Sequence, residues 1–298
     1  TGNAAVGVET SADNSHIKFG ESAEIVLQGD YNYGASVWSE NSSIEFGADA
    51  KITAVSNAVR VGGNDSQAIF GADAILTTSG DNAYTVHLGA ASGSSITFDN
   101  GAVINSDGHA SIGVFIERSG EVSFKDQAEI KVTGDFAYGV YLQNQYDGNV
   151  SKITFGDGAQ IEAHGYNADG IHVEAENSTA EFGDDTVISV SGEDAKALCV
   201  SADDALIKVG NNAQITAEGM NAQALLLWAD GNSGKIEIGD NATITGNADT
   251  DYQSNLIQVM SENGVIEIGD DVKINYNYTG TDEVIGSALS VTDAGGKI

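Results

Sequence analysis

The chain has 298 residues, and 44 Asp plus Glu against 12 Lys plus Arg leave a formal charge of −32. That charge argues against nucleic acid as a partner, and no apolar run approaches the ~18 residues of a membrane span. One cysteine, Cys199, leaves no internal disulfide framework or cysteine-based metal site to expect, and 37 glycines with no proline suit a backbone held mostly in sheet ladders.

From the N-terminus onward the sequence repeats itself. The landmarks are Gly20, Gly47, Gly71, Asp99, Lys125, Gly156, Gly183, Gly210, Gly239 and Gly269. Apolar residues stand three and one positions before each, as in Ile44 and Phe46, and three and five positions after, as in Ala50 and Ile52. Only Thr186 departs from this. Alternation on either side of the landmark predicts two short strands, A and B, joined by a tight corner. A third alternating run, strand C, precedes the next A, as in Val86-His87-Leu88, Val114-Phe115-Ile116 and Ile171-His172-Val173. Three short strands per unit of ~27 residues predict an all-β fold, a right-handed parallel β-helix of about ten coils. The chain is read as one such segment over residues 1–298. It stops at Gly296-Lys297-Ile298, part-way into another A strand, as a piece of a longer array would. Longer excursions are expected at Gln143 to Lys152, Asn247 to Gln253 and Tyr276 to Glu283.

The corner between A and B carries an acid or amide in every coil, for example Asp49, Asp73, Asp126 and Asp184. Solvated turns are the expected reading, because no nonapeptide calcium repeat accompanies them. At the B-to-C corner, Tyr31, Tyr84, Phe136, Tyr166, Met220 and Tyr252 are expected to plug the prism's corners, with a sugar-stacking edge as the other reading.

Alternation points the middle residue of each short strand outward. Along strand C these positions read Arg60, His87, Phe115, Tyr141, His172, Cys199 and Leu226, with Trp38 and Trp228 one outward position further along. No carboxylate interrupts them, on a chain that is otherwise acidic. Such a stripe is the candidate contact site. Mutual stacking of the rings, or cover by the loop from Gln143, are the alternative readings. The five histidines lack a metal-ligand spacing, and Cys199 has no base at a recognisable spacing. No cofactor, metal or catalytic residue is expected. Gly231-Asn232-Ser233-Gly234 lacks the acid of a serine-protease motif and reads as a loop.

The repeated block, exemplified by Ser151-Lys152-Ile153-Thr154-Phe155-Gly156-Asp157-Gly158-Ala159-Gln160-Ile161, resembles passenger domains of Gram-negative type V autotransporters. The resemblance is one of repeat style over the whole chain. It implies export to the bacterial surface through an outer-membrane barrel outside this sequence, and an adhesin that contacts another copy of itself or a host protein or glycan. A glycan-processing lyase or hydrolase, and a passive stalk, are the competing expectations.

Overall fold

The computed structural model describes residues 5–90, 92–143, 148–228, 233–248, 255–278, 287–292 and 296–298. None of these is helical, and their strands form three parallel sheets stacked as a β-solenoid. The A strands make a ten-stranded sheet, the B strands another of ten, and the C strands one of eleven. Within each sheet a strand pairs with its equivalent one coil later, as Ile44 with Ala68 and Phe46 with Phe70. The expected repeat and its three strands per coil are therefore present. At ~4.8 Å per coil the stack is about 50 Å long.

One apolar cluster runs through the centre from Ala35 to Ile266. Its most regular part is a ladder of phenylalanines on the A strands: Phe19, Phe46, Phe70, Phe98, Phe124, Phe155 and Phe182. Successive ring centroids are 4.5–5.0 Å apart and nearly coplanar in orientation, at 1–9°. Ring spacing thus matches strand spacing through these seven coils, and Val209, Ile238 and Ile268 take the position in the last three. Thr186, the one break in the apolar pattern, is fully buried and donates its hydroxyl to the Gly183 carbonyl at 2.9 Å.

The corners explain the landmark residues. At the A-to-B corner a residue with φ near +60° turns the chain, for example Asp49 at 59° and Asn241 at 58°. Asp, Asn and Gly tolerate that conformation where most side chains do not. The acid beside the turn has a second duty. Asp157 accepts from the Asp184 N–H at 2.9 Å, Asp184 from Asn211 at 2.7 Å, and Asp240 from Asp270 at 2.8 Å. Asp126, Asp157, Asp184 and Asp240 are therefore structural acceptors for the next coil, more than the solvated turns expected. The following landmark must then be small: a Cβ on Gly210 would lie 2.5 Å from an Asp184 oxygen and 2.6 Å from the Gly183 backbone. A trough of about 620 Å³ runs along this corner past Gly183, Gly210, Gly239 and Gly269.

Two expectations need correction here. The B-to-C corner rings do not plug the prism: Tyr31 is 74% exposed, Phe136 and Tyr166 also stand outside, and Tyr84 lies on the outer face of the C sheet. Tyr31 and Phe136 occupy the left-handed turn position itself, at φ 55° and 59°, which aims their side chains away from the core. Tyr252 lies outside the described residues. Two excursions also begin later than expected, because strands Thr243–Ala248 and Lys273–Tyr278 run on into them, and the first ends earlier, because strand Ser151–Phe155 already contains Lys152. Of these excursions, residues 144–147, 249–253 and 279–283 lie outside the described residues.

Candidate functional site

The outer face of the C sheet is organised by a break in alternation. In the eight C strands from Asn57–Val61 to Asn255–Val259 the second and third residues are both buried, as Ala58 and Val59, or Ala197 and Leu198. The second is Gly or Ala in six of these strands because it meets the B strand, where a Cβ on Gly113 would lie 2.8 Å from the Ile130 side chain. Two inward residues in succession leave the first and the fourth both facing out, side by side.

Three outward columns result. The first runs Tyr84, Ile112, Tyr138, Asp169, Lys196. The second opens on Glu9 and then runs Ser36, Arg60, His87, Phe115, Tyr141, His172, Cys199, Leu226, Gln258 and Ser290, ten successive coils without a carboxylate. The third lies just past the strand ends and includes Trp38, Gly62, Glu117, Glu174, Ser201 and Trp228. The structure therefore brings the candidate residues Arg60, His87, Phe115, Tyr141, His172 and Leu226 into one register, with Trp38 and Trp228 beside it.

Most of that column is covered by itself. His87 stacks on Phe115 at 5.2 Å and Phe115 on Tyr141 at 5.5 Å, while Tyr84 closes over Phe115 at 4.9 Å and Tyr138 over Tyr141 at 4.7 Å. His87, Phe115, Cys199 and Leu226 are each 5% exposed or less. The expected exposed apolar stripe is thus a paved one, in which ring contacts of ~0.5–1.5 kcal/mol each stabilise the sheet. What stands clear of it is the rim. Trp38 is 42% exposed and holds the Arg60 guanidinium 4.1 Å from its ring centroid. Trp228, 52% exposed, marks the other end.

Charge is confined to contacts across the columns. His87 Nε2 meets Glu117 at 2.9 Å. Burial lowers the His87 pKa more than the carboxylate raises it, and its Nδ1 has no partner among the described residues. The ring is therefore neutral, with its proton on Nε2 towards Glu117. Tyr141 donates its hydroxyl to Glu174. Burial first and the nearby carboxylates second hold the Tyr138 phenol up at about 12 and that of Tyr141 well above its usual range.

The ring row ends at a polar cluster that sequence reasoning missed. His172 Nδ1 lies 3.0 Å from Asp169, and its Nε2 lies 2.8 Å from the Ser201 hydroxyl. The Lys196 ammonium reaches Asp169 at 3.4 Å and is fixed by Asn167 at 2.7 Å. Burial opposes the His172 imidazolium, but the Cys199 sulfur and the Asp169 carboxylate outweigh it, so the ring titrates well above the ordinary histidine value. Cys199 does have a base beside it, then: ligand atoms of Asp169, His172 and Cys199 all lie within 4.8 Å of one another. Such a set matches the donors zinc favours. Here, however, both imidazole nitrogens and the second Asp169 oxygen already have partners in Asp169, Ser201 and Lys196. A cavity of about 260 Å³ opens beside the cluster, lined by His172, Glu174, Ser201 and Trp228. Its residues come from three successive coils, 27 to 29 residues apart, and no short-range spacing announces that.

No protein-family model, curated protein or solved structure matches the chain.

Proposed function

We propose that the chain is a module of a surface-displayed bacterial adhesin that engages its partner along the outer face of the C sheet, with a second copy of itself as the first partner. The observation that supports this reading is the ten-coil column without a carboxylate on a protein of charge −32. Two such acidic prisms repel one another, and this column is the stretch along which two copies can approach with least charge between them. About 50 Å long and roughly 15 Å wide, it offers ~750 Å² a side, near the ~800 Å² of a standard interface. Exposed Trp38 and Trp228 supply anchors of the kind that dominate interface energies. Contacts repeated at coil spacing add up without a deep pocket. Export to the cell surface as an autotransporter passenger belongs to the same reading and rests on the style of the repeat.

The test is clustering of beads coated with the purified chain. Clustering should increase with added salt, as long-range repulsion is screened, and soluble chain should compete it away. Beads that stay dispersed at every salt concentration yet bind host cells or glycans would replace the second copy with that other partner.

A further inference from the structure

We propose that Ser201, His172 and Asp169 form a hydrolytic site for neutral carboxylic esters, with Ser201 as nucleophile. This goes beyond the adhesive reading and does not depend on it. The geometry is that of an activated hydroxyl. The Ser201 oxygen lies 2.8 Å from His172 Nε2, and the opposite nitrogen lies 3.0 Å from the Asp169 carboxylate. A nucleophile within hydrogen-bond reach of a base, itself oriented by a third group, is the arrangement that nucleophilic catalysis requires. Asp169 is buried and further held by Lys196, and all three residues ride on rigid ladder positions, Ser201 donating its N–H to the Val173 carbonyl at 3.0 Å. Only this stretch of the ring row ends in such a set, and Ser201 and His172 both line the cavity that Trp228 flanks.

Asp169 accepts the Nδ1 proton, which leaves Nε2 free to accept from Ser201. Ser201 Oγ attacks the acyl carbon as its proton passes to Nε2. The tetrahedral adduct collapses, the C–O bond to the alcohol breaks, and the alkoxide takes that proton. Water then attacks the acyl-serine through the same base and releases the carboxylic acid. Glu174 inside the cavity and the charge of −32 disfavour anionic substrates, so the ester is a neutral one. Trp228 offers a flat apolar surface for its alcohol or acyl part.

The backbone N–H groups of Ser201 and Trp228 are committed to the Val173 and Val200 carbonyls, so neither can serve an oxyanion hole. Base assistance alone is worth about 10²–10⁴-fold, and each missing oxyanion donor forgoes about 10²–10³-fold. Slow acylation and slow turnover are expected in place of rapid hydrolysis, because both half-reactions pass through an oxyanion. The groups facing His172 are Tyr138 and Tyr141 from the preceding coil, Asp169 and Glu174 from its own, and Lys196, Cys199 and Ser201 from the next. With Asp169 and Cys199 holding the imidazolium, the rate should climb as pH rises above neutrality.

The experiment treats the folded chain with an alkyl fluorophosphonate and, separately, with para-nitrophenyl acetate, then maps the modified residue by mass spectrometry. One modification at Ser201 is expected, lost in Ser201→Ala and slowed about 100-fold or more in His172→Gln, with unchanged circular dichroism. Cys199→Ala should still label at Ser201, with the rise in rate moved to lower pH because one of the two groups holding the imidazolium is gone, and an anionic ester should acylate more slowly than the acetate. Labelling at Cys199 or at surface tyrosines, an equal rate in His172→Gln, or no labelling of the native protein would each overturn the assignment. Labelling is read on the soluble chain and clustering on beads, so failure of either test leaves the other standing.

Discussion

Replacing Phe98 by alanine tests the internal ladder where it is deepest. Phe98 is fully buried and stacks on Phe70 at 4.8 Å and on Phe124 at 4.5 Å. Truncating such a ring costs ~3–5 kcal/mol, the lost transfer energy plus an unfilled cavity between two rings that cannot close on each other. Phe19, at the end of the row, is only partly buried and has one ring partner, Phe46, at 4.8 Å. The same substitution there should cost roughly 2 kcal/mol or less. Urea unfolding resolves the two, and the protein supplies its own reporters. Trp38 and Trp228 stand towards opposite ends of the stack, so Trp38→Phe and Trp228→Phe each leave one tryptophan, excited selectively near the red edge of its absorption. Because each coil touches only its neighbours, damage should spread by short-range coupling. Phe98→Ala should therefore lower the midpoint reported by Trp38 more than that reported by Trp228. A cost below about 1 kcal/mol at Phe98, or equal costs at Phe98 and Phe19, would refute a continuous stacked core.

Gly210→Ala should destabilise by ~1–3 kcal/mol in thermal or urea unfolding, because its Cβ meets the Gly183 backbone and the Asp184 carboxylate of the coil before. The two histidines of the C face should show opposite pH dependence. His87, with a lowered pKa, contributes stability above its unfolded value that is lost as pH falls through that value towards the folded one, so His87→Leu should lessen acid sensitivity of the melting temperature. His172, with a raised pKa, contributes stability that is complete below its unfolded value and lost as pH rises through the folded one, so His172→Gln should flatten the alkaline side. Phe115→Asp should unfold or weaken the stack rather than act only on adhesion, since it would bury a charge among Tyr84, His87 and Tyr141.

The core was legible because its code is local. Ile44, Phe46, Ala50 and Ile52 lie within nine residues, and the same spacing recurs unbroken through ten coils. The C face was half legible. Alternation placed His87, Phe115 and Tyr141 outside, but it assumes an unbroken strand. The paired inward residues, such as Gly139 and Val140, shift Tyr138 onto the same face, and that shift is what roofs Tyr141. Exposure depends on neighbours one coil away, which a strand taken singly does not contain. The same limit hid the polar cluster. Asp169 and His172 sit three apart in one strand, but Ser201 and Cys199 reach them only through the stacking register. The corner acids were found but their task was not, because their acceptor role is towards a backbone 27 to 31 residues later, as for Asp126 and Asp157.

The adhesive reading is tested most directly at the two rim tryptophans, which stand free of the covered row. Trp38→Ala with Trp228→Ala removes both anchors and leaves the Phe ladder intact. At about 2 kcal/mol or more per anchor, the doubly substituted chain should lose bead clustering at every salt concentration while its circular dichroism spectrum stays native. Clustering that persists undiminished in the folded double variant would contradict the assignment of this face.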